Sequence, residues 1–378
     1  MDVMGDDALG LVLERVDSHV SLIRAAAVCR RWRRAIADAA FLRRYRSLHA
    51  PAVGGSYHNN CSWYGFLRGE RTGDGPVFLP SSPSMVDARH FSLDFLPGDA
   101  ASWSIRDSRG SLLIAICLIG PGHDSIDHVV CEPLTRRYTR IPLPEVAKDS
   151  IYRGFFLLDA NVDEVASCIS ISNFRVLCMF DCNGVTHTST FTMGSSWSKN
   201  KINRTAPNIR RTVSCGRAAG SWYFCDRARS SRLYKLDGCT GKFSYSVLPT
   251  IESLDFHMGK YHCITEGCDG KPRIIVVFNN DMKVFARLDS TGWALEKKIL
   301  LWEAVRDLPG SAASFIGVHH IVTVGVGFVI VTQEFGGSWP FSVNLETGEA
   351  ALVANNMGGI VYQCELPWPP ALHACLDR

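Results

Sequence analysis

The chain has 378 residues, 46% of them hydrophobic and 20% charged, with a formal net charge of +3. That balance excludes wholesale disorder and falls well short of the basic field by which a protein grips nucleic acid through its phosphates. The length admits two or three ordinary domains, or one small module beside a large repeat architecture.

The opening segment MDVMGDD is acidic and holds no apolar run, so no secretory signal is expected. Leu112 to Ile119 is too short to cross a bilayer, and Phe315 to Thr332 is interrupted by His319, His320 and threonines. The chain is therefore expected in the cytosol or nucleus, without a membrane partner. In a reducing compartment its 14 cysteines read as small buried hydrophobes, as Cys117 within LLIAICLIG and Cys178 within FRVLCMF suggest. The sequons at Asn60 and Asn203 carry no weight without a secretory route.

Behind Asp6 and Asp7, either of which suits a helix N-terminus, Leu9, Val12, Leu13 and Val16 share one face of a first helix. The stretch Leu22 to Ile36 predicts a second, with Leu22, Ala25, Cys29, Trp32 and Ile36 on one side. Arg24, Arg30, Arg31, Arg33 and Arg34 take most of the remaining surface. Asp38 then precedes Phe41, Leu42 and Tyr45 in a third short helix. Residues 1 to 50 carry nine arginines against six acids, while the rest of the chain is balanced, so the whole positive excess lies here. A unit of this size buries little surface alone, and a partner is expected.

Val28-Cys29-Arg30-Arg31-Trp32 and Phe41-Leu42, in that order and spacing, resemble an F-box; Met4-Gly5 stands where the family has a Leu-Pro pair. The resemblance covers residues 1 to 50. It implies docking on a Skp-family adaptor and, through it, on a cullin. The contact surface it implies comes from Leu9, Leu13, Val16, Leu22, Val28, Cys29 and Trp32.

Residues 51 to 74 read as a linker rich in Pro and Gly. From 75 to 378 strand signals dominate: GSLLIAICLIG, EVASCISIS, NFRVLCMF, GSWYFCD, RIIVVFN and GFVIVTQ are short apolar or alternating runs bounded by turn residues. A strand, turn and second strand recur in CEPLTRRYTRIPLP, FDCNGVTHTSTFTM, LDGCTGKFSYSVLP, RLDSTGWALEKKI and NLETGEAALV. Counting from Thr135 through Gly184, Gly241, Gly292 and Gly348 gives steps of 49, 57, 51 and 56 residues. A period near fifty with several strands per unit predicts propeller blades.

With a first blade drawn from Val77 to Ile105, about six blades are expected, and GGIVYQCELPW is expected to close the ring on the first. This half resembles the β-propeller regions found behind F-boxes in large plant families, although it lacks the paired glycines and spaced Tyr and Trp of a regular kelch repeat. The recurrent Gly220-Ser221-Trp222 and Gly337-Ser338-Trp339 read as packing tryptophans.

Little points to chemistry. His257, His262, Cys263 and Cys268 are the closest metal-capable group, but His262 and Cys263 as strand neighbours point to opposite faces. Gly325-Val326-Gly327 lacks the third glycine and helix of a dinucleotide site and reads as a packing or bulge position. No nucleophile elbow or phosphate-loop lysine is present. Trp197-Ser198-Lys199 and Ile209-Arg210-Arg211 read as solvated loops. No metal, cofactor or nucleic acid is expected, and the chain reads as a non-catalytic subunit. The expected fold is a small all-α module followed by an all-β propeller. The expected function is a substrate-recognition adaptor of a Skp-cullin-F-box ubiquitin ligase, its propeller recruiting a protein target. The alternative is a stand-alone propeller that binds a glycan or small molecule, or a propeller enzyme, carrying an F-box remnant that does not dock.

Overall fold

The computed structural model describes residues 5–17, 19–49, 52–59, 75–81, 87–117, 127–146, 150–158, 169–202, 206–208, 212–226, 232–248, 262–278, 280–288, 292–309, 319–333, 340–353 and 361–367. Helices come first: α1 (Asp6–Glu14), α2 (His19–Val28), α3 (Arg30–Ala37) and α4 (Ala39–Leu48). The expected helix from Leu22 to Ile36 is thus two helices. Cys29 adopts extended backbone (φ −157°, ψ 166°) and ends the α2 ladder, while its carbonyl accepts the first α3 bond from Arg33 N. Arg33 Nε donates to Ala26 O at 3.3 Å and so satisfies a carbonyl that the break would otherwise strand. Asp38 caps α4 as its position suggested, accepting from Ala40 N and Phe41 N at 2.9 Å each. Asp6 instead pairs with Arg31 at 2.8 Å, and Arg44 with Glu14.

The module has its own core of Leu9, Leu13, Leu22, Ala26, Ile36, Phe41 and Tyr45, with Val16, Ala25, Trp32 and Leu42 packed at its margin. Tyr45 OH donates to Val16 O at 2.6 Å, and the His49 ring stacks on Tyr45 with centroids 4.1 Å apart.

The rest is β. β1 (Val53–His58) and β2 (Val77–Pro80) are followed by β3 (Trp103–Arg109), β4 (Leu112–Cys117), β5 (His128–Glu132) and β6 (Arg137–Ile141), which form one antiparallel meander. β7 (Ile151–Leu158), β8 (Arg175–Cys182), β9 (Val185–Thr192) and β10 (Lys201–Ile202) form the next. β11 (Thr212–Ala218), β12 (Ser221–Asp226), β13 (Arg232–Asp237) and β14 (Phe243–Val247) meet β15 (His262–Glu266), β16 (Pro272–Phe278), β17 (Asp281–Leu288) and β18 (Gly292–Leu300) in a single sheet. Among the described residues one parallel strand pairing, Gly216↔Ile264, joins its two halves. A short helix α5 (Leu301–Val305) leads to β19 (His319–Gly325), β20 (Phe328–Gln333), β21 (Phe341–Asn344) and β22 (Ala350–Leu352). Last comes β23 (Val361–Glu365), which pairs antiparallel with β1, and β1 in turn with β2.

The body is therefore a set of curled antiparallel meanders of propeller type. Each packs a face on the next: Ile114, Val130 and Ile141 meet Phe155, Val176 and Phe180. Phe156 and Met179 meet Trp222 and Phe224, and Tyr362 and Cys364 meet Ile105, Val129 and Cys131. These aromatic and branched side chains suit paired sheets, and their burial is the main stabilising term.

Several expectations shift. GGIVYQCELPW does close the body, but with β1, so part of the expected linker at 51–74 is a strand; Gly55 permits it, because a Cβ there would meet Leu79 O and Phe78. Val77 to Ile105 is not one unit, since β2 belongs with β23 and β3 opens the next meander. EVASCISIS ends in a turn at residues 171–173 and not in a strand, set by Ser170 N and Oγ donating to Asn173 Oδ1, and residues 164–168 lie outside the described residues. The turn at Gly184 joins the second and third strands of its meander, whereas Thr135, Gly241 and Gly348 lie between third and fourth strands, so the recurring turns are not all the same position in the repeat. At three of the recurring turns an Asp or Asn side chain holds the backbone. Asp237 Oδ1 accepts from Cys239 N and Thr240 N, Asp181 Oδ1 from Gly184 N, and Asn344 Oδ1 from Glu346 N and Thr347 N.

Candidate functional site

Two regions hold the side chains that could act on something else. The first is the surface of the helical module. Leu9, Leu13 and Leu22 are fully buried in its own core, so they are corrected from contact residues to core residues. Val16 and Trp32 are half-buried against that core, while Cys29 is exposed and Val28 is 66% exposed. The break at Cys29 is the reason, because it turns Val28 and Cys29 away from the seam that a continuous helix would have made. Leu11 and Val12, the latter 51% exposed, join Val28 as large apolar side chains in solvent. Leu11 was legible as a site only by elimination: it lies opposite the stripe of Leu9, Leu13 and Val16, and a helix apolar on two sides has more than one surface to cover.

The second region lies on the innermost strands of the body. β3 bulges between Ile105 and Asp107, β7 between Tyr152 and Gly154, and β11 between Ser214 and Gly216. Such bulges re-aim the residue that follows. Asp107 is thereby buried between meanders, where Oδ2 accepts from Leu157 N of β7 at 2.7 Å. Its Oδ1 faces Trp222 Nε1 of β12 at 3.4 Å and Arg217 Nη1 of β11 at 3.5 Å. Arg217 also donates to Ser108 O at 2.5 Å and lies over the Trp222 ring at 4.6 Å. Burial pushes the Asp107 carboxyl upward, and the Arg217 guanidinium, the Leu157 N–H and Trp222 pull it back. Glu365 on β23 is likewise raised by burial and opposed by Arg46 and Arg217.

Further bonds tie neighbouring inner strands. Glu365 N donates to Gly110 O at 2.9 Å, Ala219 N to Glu266 Oε2 at 2.8 Å, Thr265 Oγ1 to Gly325 O at 2.6 Å and Gly327 N to Glu266 O at 2.8 Å. Gly216 (φ +128°) is required where β11 meets β15, because a Cβ would overlap Ile264 O. Sequence reading gave no warning of Asp107 and Arg217, which are 110 residues apart and meet only because the fold brings β3 and β11 together, nor of Glu365, 148 residues beyond Arg217, whose carboxyl feels that guanidinium's charge. Trp222 packs as expected and adds the contact to Asp107; Trp339 lies outside the described residues.

The metal-capable group is not assembled. His262 is buried at the start of β15, Cys263 packs in the core on the opposite face, Cys268 is exposed at the turn beyond the strand's other end, and His257 lies outside the described residues. Burial pushes the His262 imidazole down to about 4. Among the described residues no three His, Cys, Asp or Glu side chains come together as a metal site, and no helix is long and apolar enough to cross a membrane. Gly325 and Gly327 belong to the β19–β20 hairpin, with Gly327 at φ +75°, so the motif is a turn rather than a strand interior. Trp197 is anchored by Nε1 donating to Pro142 O at 2.6 Å, and Ile209-Arg210-Arg211 lies outside the described residues.

No family model and no curated protein matches this chain. Among solved structures it is similar to a streptogramin B lyase, at 15% identity over 70% of this chain and 76% of that one, with a TM-score of 0.35. It is also similar to a luciferin-regenerating enzyme (10% identity, 68% and 81% covered, TM-score 0.37). A third is the NanB sialidase from Streptococcus pneumoniae (10%, 70% and 61%, TM-score 0.33). The expectation of a non-catalytic subunit is corrected by this finding: structures of this general form bear enzyme names, and a missing sequence motif does not exclude catalysis. Likeness at this level carries neither a reaction nor a residue role over to this chain.

Proposed function

We propose that the chain is a two-part recruiter, in which the helical module docks on a Skp-family adaptor of a cullin ubiquitin ligase and the β body holds a protein target. The observation that carries this reading is a module whose core is complete while Leu11, Val12 and Val28 stay in solvent beside the F-box-like Val28-Cys29-Arg30-Arg31-Trp32. Exposed apolar side chains at the same small unit support a protein partner there. The six meanders are read as six blades of one ring, closed by β23 and β1 from opposite ends of the chain.

The test is co-purification of the full chain with a Skp-family adaptor and cullin. Stoichiometric capture lost in Val12→Asp and Val28→Asp, with unchanged melting, supports the reading. Capture that survives both substitutions removes this surface from the interface, and no capture by a folded chain removes the adaptor role.

A second reading is favoured by the contact of Asp107 with Arg217 on the inner strands: a stand-alone ring that binds or transforms a glycan or small molecule near its axis. A thermal-shift screen of the full chain against glycans and small metabolites separates the two, since a ligand lost in Arg217→Ala favours the second.

A further inference from the structure

One junction between meanders is packed differently from the rest. β23 lies beside β19, so the meander of β23, β1 and β2 faces the meander of β19 to β22. Side chains alternate across a strand, which sorts each meander into two faces. On the faces turned away from this junction the apolar side chains are closed off. Tyr57, Phe78, Tyr362 and Cys364 are at most 9% exposed on one meander, and Val329, Val331, Phe341 and Val343 are fully buried on the other. On the faces turned toward the junction Val77, Leu79, Val361 and Ile330 all stay half-exposed. Among the described residues no hydrophobic cluster joins these two meanders, although one joins each of the other neighbouring pairs. The facing sheets therefore leave a cleft that solvent enters.

The floor of the cleft is polar. A row of directly opposed residues crosses the closing meander as Val77, His58 and Val361, and the next as Leu79, Ser56 and Gln363. Across the junction β20 turns Ile330 and Thr332 to the same space, since Val329 and Val331 between and before them face the other way. His58 and Thr332 stand on the second strands of their meanders, and each is 7% exposed. Yet among the described residues neither His58 Nδ1 nor Thr332 Oγ1 has a hydrogen-bond partner. The other ring nitrogen of His58 meets Ser56 Oγ at 3.2 Å. Burial pushes the imidazole pKa down, so the ring is neutral and needs no counter-ion. A buried polar atom left unpaired is costly, and two on facing strands of one cleft call for a polar occupant.

We infer that this cleft binds a small uncharged molecule with hydroxyl groups on an aliphatic frame, the hydroxyls meeting His58 Nδ1 and Thr332 Oγ1 and the frame lying against Val77, Val361 and Ile330. A hydroxyl both donates and accepts, so it suits either tautomer that the Ser56 bond leaves at His58. The two rows and the facing Ile330 and Thr332 hold no charged side chain, and Glu365, the acid on the same face of β23, lies two residues beyond Gln363, about 7 Å along the strand. An ion entering here would lose its hydration without gaining a counter-charge. A glycan would leave most of its hydroxyls unmet against aliphatic walls. The site is at the end of β1 away from Val53, where the helices join, and off the axis of the body, so it lies beyond both functional readings and depends on neither.

The probe is pinacol, a compact aliphatic diol, titrated into the full chain carrying isotope-labelled histidine. The ring nitrogens of His58 are followed by NMR and identified by their loss in His58→Asn. A saturable shift at His58 is expected with pinacol and none with pivalate or tert-butylammonium, which match its branched frame but carry charge. Affinity is expected to fall at least about fivefold in Thr332→Val. That variant is expected to melt at or above the parent temperature, because Thr332 Oγ1 has no hydrogen bond to lose. Adaptor capture is expected to be unchanged in it, which keeps failure here apart from failure of the adaptor reading. Three binding results overturn the inference: no saturable shift, equal binding of either ion, or an affinity indifferent to Thr332→Val. A lowered melting temperature in Thr332→Val overturns it by giving the hydroxyl a structural partner, and a shift shared by the other histidines does so by making the diol a cosolvent only.

Discussion

Replacing Asp107 by alanine tests whether the contact among the inner strands holds neighbouring meanders together. The substitution removes the acceptor 2.7 Å from Leu157 N, and Leu157 is fully buried, so its N–H is left without that partner or water. Leaving a buried donor unsatisfied costs about 1–3 kcal/mol. Trp222 Nε1 loses a long 3.4 Å bond, worth about 0.5–1 kcal/mol, while Arg217 keeps its bond to Ser108 O. The expected loss is about 3 kcal/mol in unfolding free energy, read by urea denaturation followed by tryptophan fluorescence. Asp107→Asn keeps an oxygen for Leu157 N and is expected to recover at least half of that loss. A cost below about 1 kcal/mol for the alanine variant refutes the reasoning, because the desolvation cost of the orphaned N–H alone exceeds it.

Four further outcomes follow from the same structure. His262, with a folded-state value near 4 against 6.5 unfolded, binds a proton more readily in the unfolded chain. Stability is therefore expected to fall by about 3 kcal/mol as the pH drops from 6.5 through 4, and His262→Leu to flatten that slope in pH-dependent denaturation. Leu13→Asp is expected to melt the helical module by circular dichroism, because it puts a charge into a filled core, while Val12→Asp leaves it folded. Gly216→Val is expected to lower the urea midpoint more than Gly98→Ala, whose added Cβ meets open space, because the valine side chain is driven into Ile264 O. Removing residues 361–378 is expected to leave β1 unpaired on one side and to produce aggregation in light scattering.

The sequence carried the class of each part, because periodicity is local. The spacing of Leu9, Leu13 and Val16, the position of Asp38 and the recurrent strand–turn–strand runs are all short-range signals, and the helices and hairpins they predict are present. What failed was whatever a neighbour decides. The apolar seam across Cys29 looked continuous, but an extended backbone at one residue divides it, with Arg33 reaching back to Ala26 O. Residues 53–58 looked like a linker because their glycines suit a loop, whereas β23, some 300 residues away, makes them a strand. The candidate sites were least legible of all: Asp107 and Arg217 are neighbours only after the ring forms, and Leu9, Leu13 and Leu22 were assigned outward because periodicity marks an apolar face without saying what covers it.

The pairing of β1 with β23 sets an order of events during synthesis. β1 leaves the ribosome early, yet its partner at Val361–Glu365 is made about 300 residues later, roughly 15–60 s at bacterial or eukaryotic elongation rates. The helices, whose hydrophobic core is drawn from Leu9 to Tyr45 alone, have that interval in which to fold first. A nascent chain would then carry folded helices while its β body is still an open arc with one edge of β1 unpaired, so chaperone protection is needed most at the N-terminal edge of the growing body.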